Sequence, residues 1–369
     1  MSTLKVTNIE NPDGGGVSAK IADVGGGQLS NRNLIHNGAM KIAQRGTSET
    51  GVTTAKYICD RWLLALNSLG TWTVEQSTDA PAGFANSFKA TCTTADASPA
   101  AGDYAIIVHR MEAQDLQHLD YGTSNAESLV LSFYVKSNKT GSASLDIMQN
   151  DNSNKQFTKG YTISAANTWE QKKITIPGDT AGLINNDNGI GLILDWWQNS
   201  GSTYTGGSHN AAWEASTNAN RNANNLGVGG TNNDYFAITG VQLEVGSVAT
   251  TFEHRSYGEE LQKCKRYYQT VGSVFSGETE GADRFTINAE FKPEMRASPT
   301  CTVFTGRSAK IRYAGGDVSI TTPTLNNTST TIAGVWTRLT TSGRTNAKLV
   351  TGRGTGGIDA QFIQVDAEL

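Results

Sequence analysis

Little in this chain marks an enzyme, a nucleic-acid binder or a membrane span. Its four cysteines, Cys59, Cys92, Cys264 and Cys301, lie far apart. None has the C-x-x-C spacing of a zinc site or redox pair, so they read as small buried hydrophobes. Charge is sparse at 17% of residues, with a formal net of −4, whereas nucleic acid calls for a basic stripe. No apolar run approaches a membrane span. The opening MSTLKVTNIE has no basic region followed by an apolar one, so no signal peptide is expected; a protein made in a cytoplasm and released by lysis has this pattern. There is no G-x-S-x-G, H-E-x-x-H or P-loop. Gly352, Gly354 and Gly357 spell G-x-G-x-x-G, but no helix pattern follows to offer amides to a phosphate. The five histidines are scattered.

What is present is glycine (40 residues) with serine, threonine and asparagine, residues that build turns and disfavour helix interiors. Seven Trp, 11 Tyr and 11 Phe argue for packed cores rather than disorder. At 369 residues there is room for two or three domains. Short alternating segments follow one another: Tyr57–Leu66, Thr71–Gln76, Ser87–Thr93, Tyr104–Arg110, Leu129–Lys136, Ser144–Met148, Thr158–Ile163, Glu170–Ile176 and Ile190–Trp196. About ten strands with no helices between them predict an all-β two-sheet sandwich or barrel. One short helix is expected at Met111–Leu116.

The stretch Asp234–Val271 organises the rest. Phe236 and Ile238 alternate on even positions, then Val241, Leu243 and Val245 continue on odd ones. A glycine at that phase slip, Gly240, predicts a β-bulge. Ser256 and Glu259 have capping-box spacing, and Leu261, Cys264, Tyr267, Tyr268 and Val271 follow at helical spacing. Leu261, Cys264 and Tyr268 should face apolar surface, with Glu260, Lys263 and Lys265 more exposed. Beyond it, Phe285–Phe291, Thr300–Thr305, Ala309–Tyr313, Val318–Thr321, Gly334–Thr340 and Ala360–Glu368 read as a second β unit.

The segment VQLEVGSVATTFEHRSYGEELQKCKRYYQ, with NLIHNGAMKIAQRG at Asn33–Gly46, YICDRW at Tyr57–Trp62 and MRASPTCTV at Met295–Val303, resembles a block in virion-attached fibre proteins of tailed bacteriophages, marine phages especially. The resemblance implies a phage tail-fibre or related virion protein with a jelly-roll-like β-sandwich, usually a homotrimer. The expected organisation is a glycine-rich virion-attachment or oligomerisation segment at 1–32, a jelly-roll-like sandwich at 33–255, a connecting helix at 256–271 and a smaller C-terminal β domain at 272–369. The implied partners are sister chains, other phage tail proteins at the N-terminus and a bacterial surface glycan, on a virion tail assembled in the host cytoplasm. A virion connector or decoration fibre is the structural alternative. A polysaccharide-degrading tailspike is the third, although no β-helix repeat is visible.

Candidate glycan contacts follow from chemistry. Sugar C–H faces stack on aromatic rings while amides and carboxylates bond the hydroxyls. The polar segment 197–231 holds Trp197, Asn199, Tyr204, Asn210 and Trp213. Trp196 continues the apolar phase of Ile190, Leu192 and Leu194, so Trp197 falls on the opposite face, and Trp197 and Tyr204 are the leading platforms. Tyr313, Trp336 and Arg338 form an alternative site in the C-terminal unit. No cofactor or metal is expected. Asp146–Asn154 and Asn185–Gly189 are oxygen-rich and read as Asx turns, with a structural calcium as the other reading.

Overall fold

The computed structural model describes residues 8–10, 17–20, 31–151, 154–271, 274–279, 284–303, 308–313, 316–320, 325–340, 350–355 and 363–369; side chains are described in 31–151, 154–271, 289–303, 330–335 and 363–369. The chain divides into two compact units, Met1–Tyr257 and Gly258–Leu369. Strands are numbered in chain order. Apart from the hairpin β1 (Asn8–Glu10) and β2 (Val17–Lys20) and from residues 31 and 32, the expected attachment segment lies outside the described residues.

The first unit is a sandwich of two antiparallel sheets. One runs β12 (Glu170–Ile176), β9 (Leu129–Ser137), β15 (Tyr235–Val245), β7 (Ser87–Thr94), β6 (Thr71–Ser77), β3 (Ser48–Val52). The other runs β14 (Glu214–Ala215), β11 (Lys155–Ile163), β10 (Gly141–Gln149), β13 (Ile190–Ser200), β8 (Tyr104–Glu112), β5 (Trp62–Asn67), β4 (Lys56–Tyr57). The chain crosses repeatedly between them, as in a jelly roll. Alternation puts Leu131, Phe133 and Val135 of β9 inward against Leu192, Leu194 and Trp196 of β13 in one buried cluster. Phe133 meets Tyr161 and Trp196 of the facing sheet edge-on, with ring centroids 5.3 and 5.7 Å apart, contacts worth about 0.5–1.5 kcal/mol each beyond area burial.

The bulge lies where the phase slip puts it. Gly240 has φ +59°, and the β15–β9 register shifts between Thr239 and Gln242. β7 pairs only with Tyr235–Ile238, so beyond the bulge the other edge of β15 needs a partner. Residues 33–38 supply it. Leu34 N donates to Leu243 O at 2.9 Å and Val241 N to Gly38 O at 3.0 Å. The buried Asn33 amide completes the ladder, with Nδ2 donating to Val241 O at 3.0 Å and Oδ1 accepting from Leu243 N at 3.1 Å.

Three sequence expectations need correction. The segment Tyr57–Leu66 is two strands, because the chain turns at 58–61, with Arg61 at φ 72°. The short helix is a 3-10 turn at Ala113–Leu119, since Met111 and Glu112 still pair in β8. Helix α2 covers Tyr257–Lys265 only; Tyr268–Val271 is strand β16, paired with β25 (Ile363–Asp366). Its buried residues are Glu260 and Cys264, with Leu261 half-buried, so Glu260 is not exposed as expected. Leu261→Ala should therefore cost less than the roughly 2–5 kcal/mol of a fully buried leucine.

In the second unit a three-stranded sheet orders as β16-β25-β19 (Thr300–Val303). A seven-stranded one runs β21 (Gly316–Ile320), β20 (Ser308–Tyr313), β24 (Val350–Thr355), β17 (Val274–Thr279), β18 (Arg284–Glu290), β23 (Gly334–Thr340), β22 (Leu325–Thr331). Every described strand pairing is antiparallel. Among the described residues no helix is long and apolar enough to cross a membrane.

Gly38 tests the ladder at the bulge. A Cβ there would stand 2.1 Å from Val241 O, a backbone atom that cannot swing away, whereas one on Gly102 would meet nothing within 4 Å. Gly38→Ala should lower unfolding stability by at least about 1–3 kcal/mol, and Gly102→Ala should stay within roughly 0.5 kcal/mol of the parent. Equal denaturant midpoints for the two variants would refute the close approach.

Candidate functional site

The segment expected to carry exposed aromatics folds back over the outer face of the seven-stranded sheet. Trp197 does lie on the face opposite Trp196, but it is 0% exposed, which corrects its reading as an open platform. Tyr204 covers it with ring centroids 5.0 Å apart, and Tyr104 stands edge-on to both. Leu63, Ile106 and Val108 complete this small apolar cluster. Asn199 is buried too; its Oδ1 accepts from Ser200 N and Asn225 Nδ2. Trp213 packs against Tyr121 and Phe157 and donates to Pro177 O at 2.7 Å. Asn210 is exposed, its amide donating to Glu214 Oε2. Of the five, Trp197 and Tyr204 touch, and neither Asn210 nor Trp213 joins them in one open site.

Charge holds that fold-back in place. Asp146 and Asp195 are register partners on β10 and β13. Helix α1 (Asn218–Arg221) delivers Arg221, whose Nε donates to Asp146 Oδ2 at 2.6 Å and whose Nη2 donates to Asp195 Oδ2 at 2.7 Å. The same guanidinium lies 5.0 Å from the Trp197 ring centroid. Burial pushes the Asp146 carboxyl up to about 7, with the like charge of Asp195 adding to it and Arg221 opposing; burial also raises Asp195. Two opposed carboxylates can do glycosidic acid–base work. Here both are buried and held by one guanidinium, which is the arrangement of a clamp.

Beside the clamp stands a Ser–His pair. Ser144 Oγ donates to Asn224 O and accepts from Asn224 N, both at 3.0 Å, and His209 Nε2 is 3.0 Å away. With the hydroxyl proton committed to a carbonyl, Nε2 is the donor, so His209 is not placed to deprotonate Ser144. The oxygen-rich stretches also meet, Asn185 N donating to Asp151 Oδ2 at 3.0 Å, while Asp187 Oδ1 accepts from Gly189 N at 2.7 Å, an Asx turn. Among the described residues no cluster of three or more His, Cys, Asp or Glu could hold a metal.

The open aromatic surface lies elsewhere, on the outer face of the six-stranded sheet. Trp169, in the turn before β12, donates Nε1 to Asp79 Oδ1 at 3.0 Å, and Lys136 donates to Asp79 Oδ2 at 2.7 Å. Lys136 Nζ stands 6.0 Å from the Trp169 ring centroid and Lys89 Nζ 5.3 Å from that of Tyr235. Tyr235 donates its hydroxyl to Asn167 Oδ1 at 2.8 Å. The side chain of Asp79 is 43% exposed, and Trp169 and Tyr235 are half-buried. Burial alone would raise the Asp79 carboxyl, but Lys136, Trp169 and Lys89 outweigh it and hold it below the usual range. In the sequence Tyr235 reads as a strand residue, and Trp169 carries no periodicity that marks it. A tryptophan in the polar turn AANTWE was the available signal.

The alternative residues sit on strands of the second unit, Tyr313 on β20 and Trp336 and Arg338 on β23. Their side chains lie outside the described ones. Trp336 and Arg338 share a face of β23, but β24, β17 and β18 separate it from β20, about 19 Å at ordinary strand spacing.

No protein-family model matches the sequence, and no curated protein matches it. Solved structures give distant likenesses. The enzymatically active domain of bacteriophage CBA120 tailspike protein 4 is 12% identical over 58% of this chain and 21% of that one, at a TM-score of 0.30. A CBM4 structure is 11% identical over 57% and 99%, TM-score 0.30, and a putative sugar binding protein from Bacteroides thetaiotaomicron VPI-5482 is 15% identical over 58% and 100%, TM-score 0.33. The chain thus spans about a fifth of that tailspike domain.

Arg221→Met should cost about 3–5 kcal/mol, because it strands two buried carboxylates, and adding Asp146→Asn and Asp195→Asn should restore most of that. The raised Asp146 carboxyl also fixes a pH sign. Its stabilising share is complete below its ordinary value and is lost as pH rises through about 7. Burial also holds the imidazoles of His109, His209 and His254 below their ordinary value, which adds stability as pH rises. The Asp146 share is therefore read as a difference: the urea midpoint of the parent minus that of Asp146→Asn should fall between pH 5 and pH 8, and a difference that grows with pH would contradict the assignment.

Proposed function

We propose that this protein is a non-enzymatic fibre subunit of a tailed-bacteriophage virion, attached near its N-terminus and contacting a bacterial surface glycan through its β domains. One observation carries the reading: the sequence pieces that resemble phage fibre proteins are the pieces that interlock. In the first unit Asn33 ties to Val241 and Leu243, and Glu253 accepts from Asn33 N. Lys41 donates to Arg255 O, while Asn37 donates to Ile42 O and Asp60 O. In the second unit Arg296 N donates to Arg266 O at 2.9 Å, and Gln269 Nε2 donates to Met295 Sδ at 2.9 Å. Stretches far apart in the sequence that bond to one another in the fold are what a shared structural module would leave.

Nothing in the clamp at Asp146 and Asp195 supports the tailspike reading, since Arg221 occupies both carboxylates. The connector reading differs from the leading one only in what the surface meets. Sedimentation of the full chain at micromolar concentration should give a trimer, and immunogold labelling should place it on the tail of the phage that encodes it. A stable monomer, or label absent from the particle, would overturn the proposal.

A further inference from the structure

We infer that the outer face of the six-stranded sheet, where Trp169, Tyr235, Asp79, Asn167, Lys136 and Lys89 converge, is a binding site for an uncharged pyranose glycan. This rests on the glycan-contact reading above and adds to it a place and a chemical class. Register puts Lys136, Ala237, Lys89 and Glu75 in one row across β9, β15, β7 and β6. Ala237, the small residue, forms the middle of the row, with the longer side chains of Lys136 and Lys89 on either side. The two rings stand by this row, each already oriented by a hydrogen bond at its polar tip, Trp169 to Asp79 and Tyr235 to Asn167. An aromatic ring fixed at its tip offers its apolar body to a sugar C–H face at small entropic cost. Asp79, Asn167 and Lys136 supply acceptors and donors for hydroxyls beside those rings.

Charge selects the class. Lys136 pairs with Asp79 at 2.7 Å and Lys89 with Glu75 at 3.1 Å, so the four formal charges cancel. A polyanion would find each ammonium already neutralised and would meet two carboxylates. A neutral sugar loses nothing to that pairing.

The test is binding of the full chain to neutral polysaccharides (laminarin, dextran, mannan, galactan) and acidic ones (alginate, a sulfated fucan) by affinity gel electrophoresis, with calorimetry on oligosaccharides of any that bind. Retention by at least one neutral polymer is expected. Trp169→Ala and Tyr235→Ala should each weaken it roughly 2- to 10-fold, and together by about the product. Trp169→Phe, which keeps a ring but loses the bond to Asp79, should bind between the parent and Trp169→Ala, and melting temperatures should stay near the parent's. Neutral-glycan binding unchanged in the double variant would overturn this site while leaving glycan contact intact. Binding of acidic polymers alone would overturn the chemical class. Binding of no polymer in the panel would overturn this site and the glycan part of the proposed function together, leaving trimer and virion location to decide the rest.

Discussion

The first unit depends on how one bulged strand has its backbone satisfied. After Gly240 the strand β15 bends away from β7, and the N–H of Val241, the C=O of Val241 and both groups of Leu243 face residues 33–38. Leaving such buried groups unpaired would cost about 1–3 kcal/mol each. Asn33 is suited to the task because its amide presents a donor and an acceptor side by side, imitating a peptide unit at the end of a strand. The rest follows outward from that point. Gly38 lies against Val241, Trp62 Nε1 donates to Asn37 O at 3.0 Å, and Arg255 returns to the carbonyls of Asn33 and Ile35. The opening and closing of the sandwich are thereby joined over more than two hundred residues.

The parts of this that sequence could show are those written in local periodicity. Gly240 declared itself by the switch from Phe236 and Ile238 to Val241 and Leu243, and alternation alone placed Trp196 and Trp197 on opposite faces. Sequence did not show what would cover each face. Trp197 is buried because Arg221, 24 residues along the chain, finds two carboxylates already paired across β10 and β13. No local pattern encodes that meeting. The overrun of helix α2 has the same origin: Tyr267, Tyr268 and Val271 suit either period, and pairing with β25, nearly a hundred residues later, decides for strand.

The two outer faces of the sandwich meet different fates. On the seven-stranded sheet, apolar and acidic residues at outward positions require a cover, and the segment after β13 provides one with a guanidinium. On the six-stranded sheet, Phe84, Phe252 and His254 form an aromatic cover over one end, with Phe84 against Tyr134 at 5.6 Å. At the other end the outward residues are Lys89, Lys136 and Tyr235, which need no apolar cover because their polar tips pair across the face, with Glu75, Asp79 and Asn167. A hydrophobic face calls for a lid, and a face of long amphipathic side chains does not.

That difference explains why a binding surface belongs on the second face and not the first. Exposing Trp197 would mean breaking the Arg221 clamp and hydrating two buried acids before any ligand arrives, and the affinity left over would shrink by that amount. Trp169 and Tyr235 demand no such opening. Their orientations are set by Asp79 and Asn167, which stay accessible at the edge, so a ligand displaces only surface water and spends little on ordering side chains. The strongest aromatic signal in the sequence, the pair Trp196 and Trp197, serves packing, while a single tryptophan in a polar turn is free to serve recognition.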